Sequence, residues 1–527
     1  MEGLRLTGAG PPGTRVWFAA MRLPLRILAV IITAAAAAAP ASAAPRDVLY
    51  VGNNWDGTAD VVDPHSFQKL ARIDIVPDKA QRLAEIQSSP DRYGYFLAIR
   101  NEVGEGHDQF VDDMFSSHDG RFLYVSRPSL ADVVAFDLRT AKIVWRFPVE
   151  GYRADHMAIS PDGRRLLVSA STARKVHVID TATGRSAGEF ASGDQPHENN
   201  YSRDGKLIYH ASIGTVYTPF DEPAMDGTKG ERVFEVVDAR TLKVLKRLDM
   251  GQKLAEAGYP DMSSAVRPMA LSPDERKVYF QVSFFHGFVE YDLVHDKVLR
   301  LARLPLSDEA AKKRREDYLL DSAHHGLAMN PEGTKLCAAG TMSDYAAIVR
   351  RDTFAYRLAA FGQKPYWATN SRDGRYCFVS FSGDDRVSVI SYASEREVGS
   401  VHVGDHPQRM RMGTLADGAL GVRPGAGASP GRPGGPRPRL RVTVRPRRVR
   451  AGRPVRLRVR VTALRAGRRV AVRGARVRVA GVSARTGRRG RAILRKRRGL
   501  ERVRRYRVRA SRRGYRTGFA RVRATRG

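Results

Sequence analysis

Cysteine, long apolar runs and catalytic motifs are scarce in this sequence of 527 residues. It has two cysteines, Cys337 and Cys377, and no CxxC pair, which excludes a disulfide-rich scaffold and a zinc site built from cysteine alone. No run of about 18 uncharged apolar residues is present, so we predict no transmembrane helix. The GxSxG motif of serine hydrolases is also absent, which leaves nucleophilic catalysis without support.

Acidic residues are nearly absent from the C-terminal part of the chain. From Gly421 to Gly527 the sequence contains 38 Lys and Arg and one acidic residue, Glu501, which amounts to a charge of +37. The whole chain carries +35, so the first 420 residues carry −2. Because a strong basic excess attracts polyanions, we expect an anionic partner for the C-terminal part alone.

The N-terminus has the features of a secretory signal peptide. Residues 21–26 include two arginines, residues 27–39 form an apolar run, and residues 41–43 form a small-residue cleavage site. We therefore predict a signal peptide over residues 1–43, with Met21 as the true start. The protein is then exported, either extracellular or associated with the cell envelope, and nucleic acid is not an expected partner there.

A polar turn followed by an apolar strand recurs through the middle of the chain. The six turns cover residues 117–120, 160–163, 202–205, 272–275, 330–333 and 371–374. Their starts lie 41 to 43 residues apart, except for two intervals of 70 and 58 residues that contain insertions. Further strands complete each unit, and four short strands in about 40 to 45 residues are typical of a β-propeller blade.

The two ends of this array each carry part of a blade. Residues 48–51 form a strand with no innermost strand before them, and residues 406–412 form an innermost strand with no blade after it. Pairing these two strands completes a seventh blade and removes exposed strand edges. The sequence therefore predicts an all-β protein, with a closed seven-bladed β-propeller over residues 44–416.

The last repeat resembles a known family. Residues 377–380, 385–390 and 398–407 are similar to the YVTN/YncE-like repeat of secreted bacterial seven-bladed propellers. The resemblance extends from Asp47 to about Thr414 and implies the same fold. Propellers of this kind include binding proteins, lactonases, lyases and electron-transfer partners, so the resemblance does not fix an activity.

Four insertions are predicted to lie at one end of the propeller channel. They cover residues 77–106, 215–231, 252–264 and 307–322. All four fall in connections on the face where the innermost strand of each blade starts, and we call this end of the channel the insertion mouth. Binding usually involves long loops on a rigid scaffold, so we predict a ligand site there.

Polar side chains occupy the starts of the innermost strands at the insertion mouth. The candidate ligand-binding residues are His156, His197, Glu198, Arg267, His325, Trp367 and Arg409. One interpretation is that they are ordinary channel-lining residues bonded to water or backbone. A second is a small-ligand site, in which the two arginines bind an anionic group and the tryptophan stacks on the ligand.

A third interpretation is a metal site built from His156, His197, Glu198 and His325. Histidine and carboxylate ligands suit Zn, Cu or Mn, and a ring of blades can supply one ligand from each of several blades. A divalent metal is thus a possible cofactor. The function that we favour is a secreted binding or scaffold protein that takes a small anionic ligand or a protein partner at the mouth. The alternative is a metal-dependent lactonase or lyase of the propeller type.

The two cysteines lie in second strands of adjacent blades, where burial is expected. Cys337 follows its turn glycine by four residues and Cys377 by three, so their side chains could point toward each other. Facing sheets are about 10 Å apart, however, which is too far for a disulfide unless the blades converge.

The basic C-terminal part is predicted to be a separate module. Residues 417–438 are rich in Gly, Pro and Ala and are expected to be a linker. Residues 439–527 alternate strictly between Val and Arg in several segments, which predicts about seven short strands with Val inward. The pattern resembles bacterial Ig-like β-sandwich modules. Its charge favours attachment to anionic cell-surface polymers, with acidic phospholipid head groups as the other candidate.

Overall fold

The computed structural model separates into two compact units, which divide between Arg423 and Pro424. The described residues are 44–216, 223–421, 440–465, 468–496, 499–500, 503, 505–512 and 518–526. The predicted signal peptide and residues 422–438 of the predicted linker lie outside them. Within the described residues, no helix has both the length and the apolar character needed to cross a membrane.

The first unit is built from 28 strands in its described residues. Blades 1 to 3 contain β1 (Arg46–Asn53), β2 (Thr58–Val62), β3 (Lys69–Asp74), β4 (Met114–Ser116), β5 (Phe122–Arg127), β6 (Asp132–Asp137), β7 (Lys142–Pro148), β8 (Ala154–Ile159), β9 (Arg165–Ala170), β10 (Lys175–Asp180) and β11 (Ser186–Ala191). Blades 4 and 5 contain β12 (Pro196–Tyr201), β13 (Leu207–Ser212), β14 (Phe234–Asp238), β15 (Val244–Leu248), β16 (Val266–Leu271), β17 (Lys277–Val282), β18 (Gly287–Asp292) and β19 (Lys297–Arg303). Blades 6 and 7 contain β20 (Leu327–Met329), β21 (Lys335–Gly340), β22 (Tyr345–Arg350), β23 (Tyr356–Phe361), β24 (Pro365–Asn370), β25 (Tyr376–Phe381), β26 (Arg386–Ser391) and β27 (Arg396–His402), and β28 (Pro407–Leu415) follows.

These strands form seven four-stranded antiparallel sheets in residues 44–421, leaving aside 217–222. The last strand, β28, pairs with β1, so that Met410 lies opposite Val51 and Leu415 lies opposite Arg46. The innermost strand of each blade contacts that of the next blade around the whole ring, including β24 with β28 and β28 with β4. The predictions of an all-β propeller and of the pairing that closes it are confirmed.

The insertions carry the helices of the first unit. Two helices, α1 (Lys79–Gln87) and α2 (Pro90–Ala98), lie between blades 1 and 2 and continue into a π-helical turn, Ile99–Val103. A third helix, α3 (Met250–Glu256), lies between blades 4 and 5. Short 3₁₀ turns are Pro128–Leu130, Pro223–Lys229, Ala310–Lys312, Arg315–Asp317, Leu319–Asp321, Ser382–Asp384 and Ala419–Gly421.

The repeated turn has a local physical cause. In blade 3 the Ser160 hydroxyl donates to Asp162 at 2.5 Å and accepts from the backbone N–H of Arg165 at 2.9 Å. Gly163 has a φ of +73°, a conformation that glycine adopts without a steric cost. Four of the six turns have Ser, Asp and Gly at these spacings, whereas Glu275 takes the glycine position in blade 5 with a φ of +54°, and Asn330 and Glu332 replace Ser and Asp in blade 6.

Cys337 on β21 and Cys377 on β25 form a disulfide, with their Cα atoms 6.5 Å apart. The sequence left this pairing open, on the condition that the two blades converge, and blades 6 and 7 do converge here. Small side chains fill much of the interface around the pair. The buried alanines of this cluster are Ala328, Ala339, Ala346, Ala360 and Ala368.

We expect the double substitution Cys337→Ala/Cys377→Ala to lower the free energy of unfolding by about 3–4 kcal/mol, because the disulfide closes a loop of 40 residues in the unfolded chain. Urea denaturation of the oxidised protein measures the change. Wild type in dithiothreitol serves as the control and is expected to match the variant. Equal stability of oxidised wild type and the variant would contradict this account.

The second unit is also all β in its described residues. Its strands are β29 (Arg441–Arg445), β30 (Arg448–Arg450), β31 (Val455–Arg465), β32 (Arg468–Ala471), β33 (Arg476–Val479), β34 (Val482–Arg485), β35 (Arg491–Lys496), β36 (Arg505–Ser511) and β37 (Gly518–Thr525). They form two sheets, β29-β31-β32 with β35 beside β31, and β30-β37-β36-β33-β34. Apolar side chains, including Val459, Val477 and Val508, are buried in one core. The described residues thus hold nine strands where the sequence pattern indicated about seven.

Candidate functional site

Three histidines from three different blades meet in the channel. His156 lies on β8, His197 lies on β12, and His325 lies two residues before β20. They are 1%, 5% and 1% exposed. Their ring centroids are 3.6 Å apart for His156 and His197, 5.9 Å for His197 and His325, and 6.3 Å for His156 and His325. One nitrogen from each ring can be chosen so that all three lie within 4.8 Å of one another.

Four ring nitrogens of these histidines have no hydrogen-bond partner among the described residues. They are Nε2 of His156, both nitrogens of His197, and Nδ1 of His325. The carboxylate of Asp155 is nearby but lies 3.6 Å from His156 Nε2 and 3.5 Å from His197 Nδ1. A buried polar atom without a partner costs free energy, so four of them in one place indicate a site that a ligand can satisfy.

The electrostatic environment keeps these imidazoles neutral. Burial lowers the pKa of His156 and of His325 well below the usual range, and the positive charge of Arg409 adds to the effect. Burial also lowers the pKa of His197 to about 4, against the opposing influence of Asp155. Neutral imidazole is the form that coordinates a metal, so the three side chains are ready to act as ligands at neutral pH.

Glu198 contacts the Nδ1 atom of His156. Its Oε2 atom lies 2.7 Å from Nδ1 of His156, and its Oε1 atom accepts from the side-chain amide of Asn200 at 3.2 Å. A carboxylate on the second nitrogen of a histidine fixes the orientation of the ring and makes the free nitrogen a better ligand. Of the four residues predicted as metal ligands, three bring ring nitrogens together and Glu198 orients the ring of His156.

Two further carboxylates lie beside the histidines. Asp155 accepts from the hydroxyl of Ser171 at 2.9 Å. Burial would raise its pKa, but Arg153 and His197 outweigh burial and the pKa of Asp155 is lowered. Burial raises the pKa of Asp112 to about 7, although Arg409 opposes the shift. The site therefore combines a carboxylate that stays ionised with one that titrates near neutrality.

The two predicted anion-binding arginines have different surroundings. Arg267 donates to the hydroxyl of Ser283 at 3.0 and 3.1 Å and to the backbone carbonyl of Leu320, which belongs to the insertion at 307–322. Arg409 donates to Asp112 and packs over Trp367, with the guanidinium carbon 4.7 Å from the ring centroid. Its Nε and Nη2 atoms and the Nε1 atom of Trp367 are buried without partners.

Arg411 was missed by the sequence reasoning. It forms a paired hydrogen bond to Asp113 at 2.8 and 2.7 Å, and its guanidinium carbon lies 4.8 Å from the ring centroid of Trp367. The signal that could have found it is the period of two along a strand. Arg411 follows Arg409 by two residues on β28 and therefore shares its face.

A cavity of about 210 Å³ adjoins this cluster. Its polar lining comes from Glu198, Asn200, Trp367, Thr369, Asn370 and Arg411, and its apolar lining comes from the last three residues of β16, from β20 and from Ala368 of β24. Because these innermost strands start at the insertion mouth, the cavity lies toward their far ends. Glu198 both lines the cavity and contacts His156, which connects the cavity to the three histidines.

No family model matches the chain, and no curated protein matches it. Among solved structures, the chain is similar to Kuenenia stuttgartiensis hydrazine synthase. The two are 18% identical in sequence, with a TM-score of 0.47, and the match covers 66% of this chain and 92% of the other.

Proposed function

We propose that the first unit is an exported β-propeller that binds a small ligand at a transition-metal ion in its channel. The observation that carries the proposal is the set of three buried histidines, His156, His197 and His325, each of which offers one ring nitrogen within 4.8 Å of the others. Three histidines are a ligand set that suits Zn or Cu.

The spacing of the nitrogens fits a metal after small side-chain rotations. Ligands about 2.1 Å from a tetrahedral ion are about 3.4 Å from one another, and the three nitrogens here lie within 4.8 Å. Three protein ligands would leave a fourth position for a ligand, and the ion would act there as a Lewis acid. Glu198 would hold His156 in the orientation that this coordination requires.

The remaining polar atoms favour a small anionic ligand. Within the described part of the chain, two nitrogen atoms of Arg409, Nε and Nη2, and the Nε1 atom of Trp367 have no hydrogen-bond partner. Arginine binds carboxylate and phosphate through paired hydrogen bonds. Arg267 contributes to this site by fixing the insertion at 307–322, which lies at the insertion mouth, where the sequence predicts ligand binding.

A metal-dependent lactonase or lyase is the second candidate function. The observation that favours it is Glu198, which lines the cavity and lies 2.7 Å from Nδ1 of His156, and whose pKa burial raises to about 7. A carboxyl group with a pKa near neutrality can act as a general acid or base. The resemblance to YncE-like propellers is compatible with both candidates.

Export is part of the proposal. It is supported by the predicted signal peptide and by the Cys337–Cys377 disulfide, because disulfides persist mainly in oxidising compartments.

The metal content of the purified full-length protein tests the proposed function. We expect about one Zn or Cu ion per chain by mass spectrometry, and we expect His197→Ala to lose it, because two histidines hold an ion poorly. His65→Ala is the matched control, since His65 is an exposed histidine of the same propeller, and it should keep the metal. Wild type that remains free of metal after incubation with Zn²⁺ and Cu²⁺, with no rise in melting temperature, would refute the proposal.

A further inference from the structure

The strands of the second unit carry arginine on their outer faces. On β31, Leu457 and Val459 are buried, whereas Arg456, Arg458 and Arg460 are exposed. The alternation follows from the period of two along a strand, which places successive side chains on opposite sides of a sheet. The apolar core of this unit therefore forces its arginines to the solvent side.

Strand register places these arginines directly opposite one another. Arg445 of β29 lies opposite Arg458, and Arg460 and Arg456 lie opposite two arginines of β35. We call this set the arginine face, and its members are Arg445, Arg456, Arg458, Arg460, Arg491 and Arg495. Neighbours lie about 5 Å apart across strands and about 7 Å apart along a strand, so they fall within the Debye length of about 8 Å at physiological salt.

The positive charges of the arginine face are not balanced by acidic groups. None of its six arginines forms an ion pair with a described residue, and the sequence from Gly421 onward contains one acidic residue, Glu501. The propeller differs, because several of its exposed arginines pair with carboxylates, as Arg121 does with Asp137 at 3.1 Å and Arg174 does with Glu231 at 2.6 Å. Like charges directly opposite on a sheet are destabilising, so a bound polyanion would relieve the repulsion.

The second sheet of this unit repeats the arrangement. Arg476 lies opposite Arg485, and Arg507 lies opposite Arg521. All four side chains are exposed. Both sheets thus present opposed arginines to solvent, which gives the unit a repeating array of cationic groups.

We propose that the arginine face binds a linear phosphate-bearing polymer of the cell envelope. Arginine binds phosphate through two parallel hydrogen bonds, and a regular array of arginines can engage consecutive phosphates of one chain, so that the affinity grows with their number.

The apolar content of the surface argues against a membrane as the partner. Lasting attachment to a membrane surface combines basic residues with apolar side chains that enter the interface. In the described part of the second unit, Ile493 and Val503 are the large apolar residues that are exposed. Two isolated apolar side chains on separate segments provide little apolar surface to insert into a membrane. Binding of a soluble polyanion, by contrast, requires only the positive charges of the arginines.

The test measures binding of long-chain inorganic polyphosphate to the full-length protein across a salt series. Wild type should lose at least about tenfold in affinity between 50 and 200 mM salt, as expected when bound counterions are released. The variant Arg456→Gln/Arg458→Gln/Arg460→Gln should bind at least about tenfold more weakly at 50 mM salt. Its matched control is Arg139→Gln/Arg203→Gln/Arg276→Gln, which removes the same charge from exposed sites on the propeller and should bind like wild type.

Two outcomes would overturn the proposal. One is equal polyphosphate affinity of the arginine-face variant and its charge-matched control. The other is tighter binding, per phosphate, to vesicles that contain an acidic phospholipid than to the polymer. If the triple variant does not fold, the measurement is repeated with Arg491→Gln/Arg495→Gln on the neighbouring strand. The same two outcomes would then overturn the proposal.

Discussion

A chain that ends before His406 is expected to lose the cooperative unfolding transition of the propeller. That truncation removes β28, which is the innermost strand of blade 1 and contacts the innermost strands on both sides. It also leaves Asp113 buried without Arg411, and a buried charge that loses its partner costs about 3–5 kcal/mol. This loss, together with the lost apolar contacts of Met410 and Leu415, is comparable with a total stability of about 5–15 kcal/mol.

A chain that ends after Gly421 provides the control for this truncation. It also lacks the second unit but retains β28 and the backbone bonds from Ala416 to Gly120 and from Leu420 to Leu138. Circular dichroism during heating should show a cooperative transition for the longer chain and none for the shorter one. Similar melting of the two chains would show that the pairing of β28 with β1 does not hold the ring together.

Glu198→Gln is expected to weaken metal binding by about tenfold or more, because a neutral amide replaces the carboxylate that contacts Nδ1 of His156. This expectation rests on the proposed metal centre. A competition titration with a chromophoric chelator measures the metal affinity, and the melting temperature of the metal-free protein should change little.

Glu235→Gln is the matched control for that substitution. Glu235 is a buried glutamate of the same blade, and burial raises its pKa to about 7 as well, but its partner is Arg247, at 2.7 Å. It should therefore leave the metal affinity unchanged. An unaltered affinity in Glu198→Gln would mean that Glu198 does not act on the metal through His156.

The channel shows how far the candidate site could be predicted. The position of His156, His197 and His325 at the starts of innermost strands follows from counting back from each turn, so their common location was accessible from the sequence. Which of their nitrogens remain unpaired could not be predicted, because it depends on the contact between Glu198 and Nδ1 of His156. The surroundings of Arg267 were equally hidden, since its partner Leu320 lies 53 residues away in an insertion.

The sequence by itself determined the blades, the ring closure and the inward valines of the second unit, because these depend on local turn chemistry and on a period of two along each strand. Only the tertiary structure decided which atoms meet. The Cys337–Cys377 bond required two blades to converge over small side chains, and the arginine face required the register between strands. Local patterns set the direction of a side chain relative to its own strand, whereas distances between strands remote in sequence arise from the packing of the whole unit.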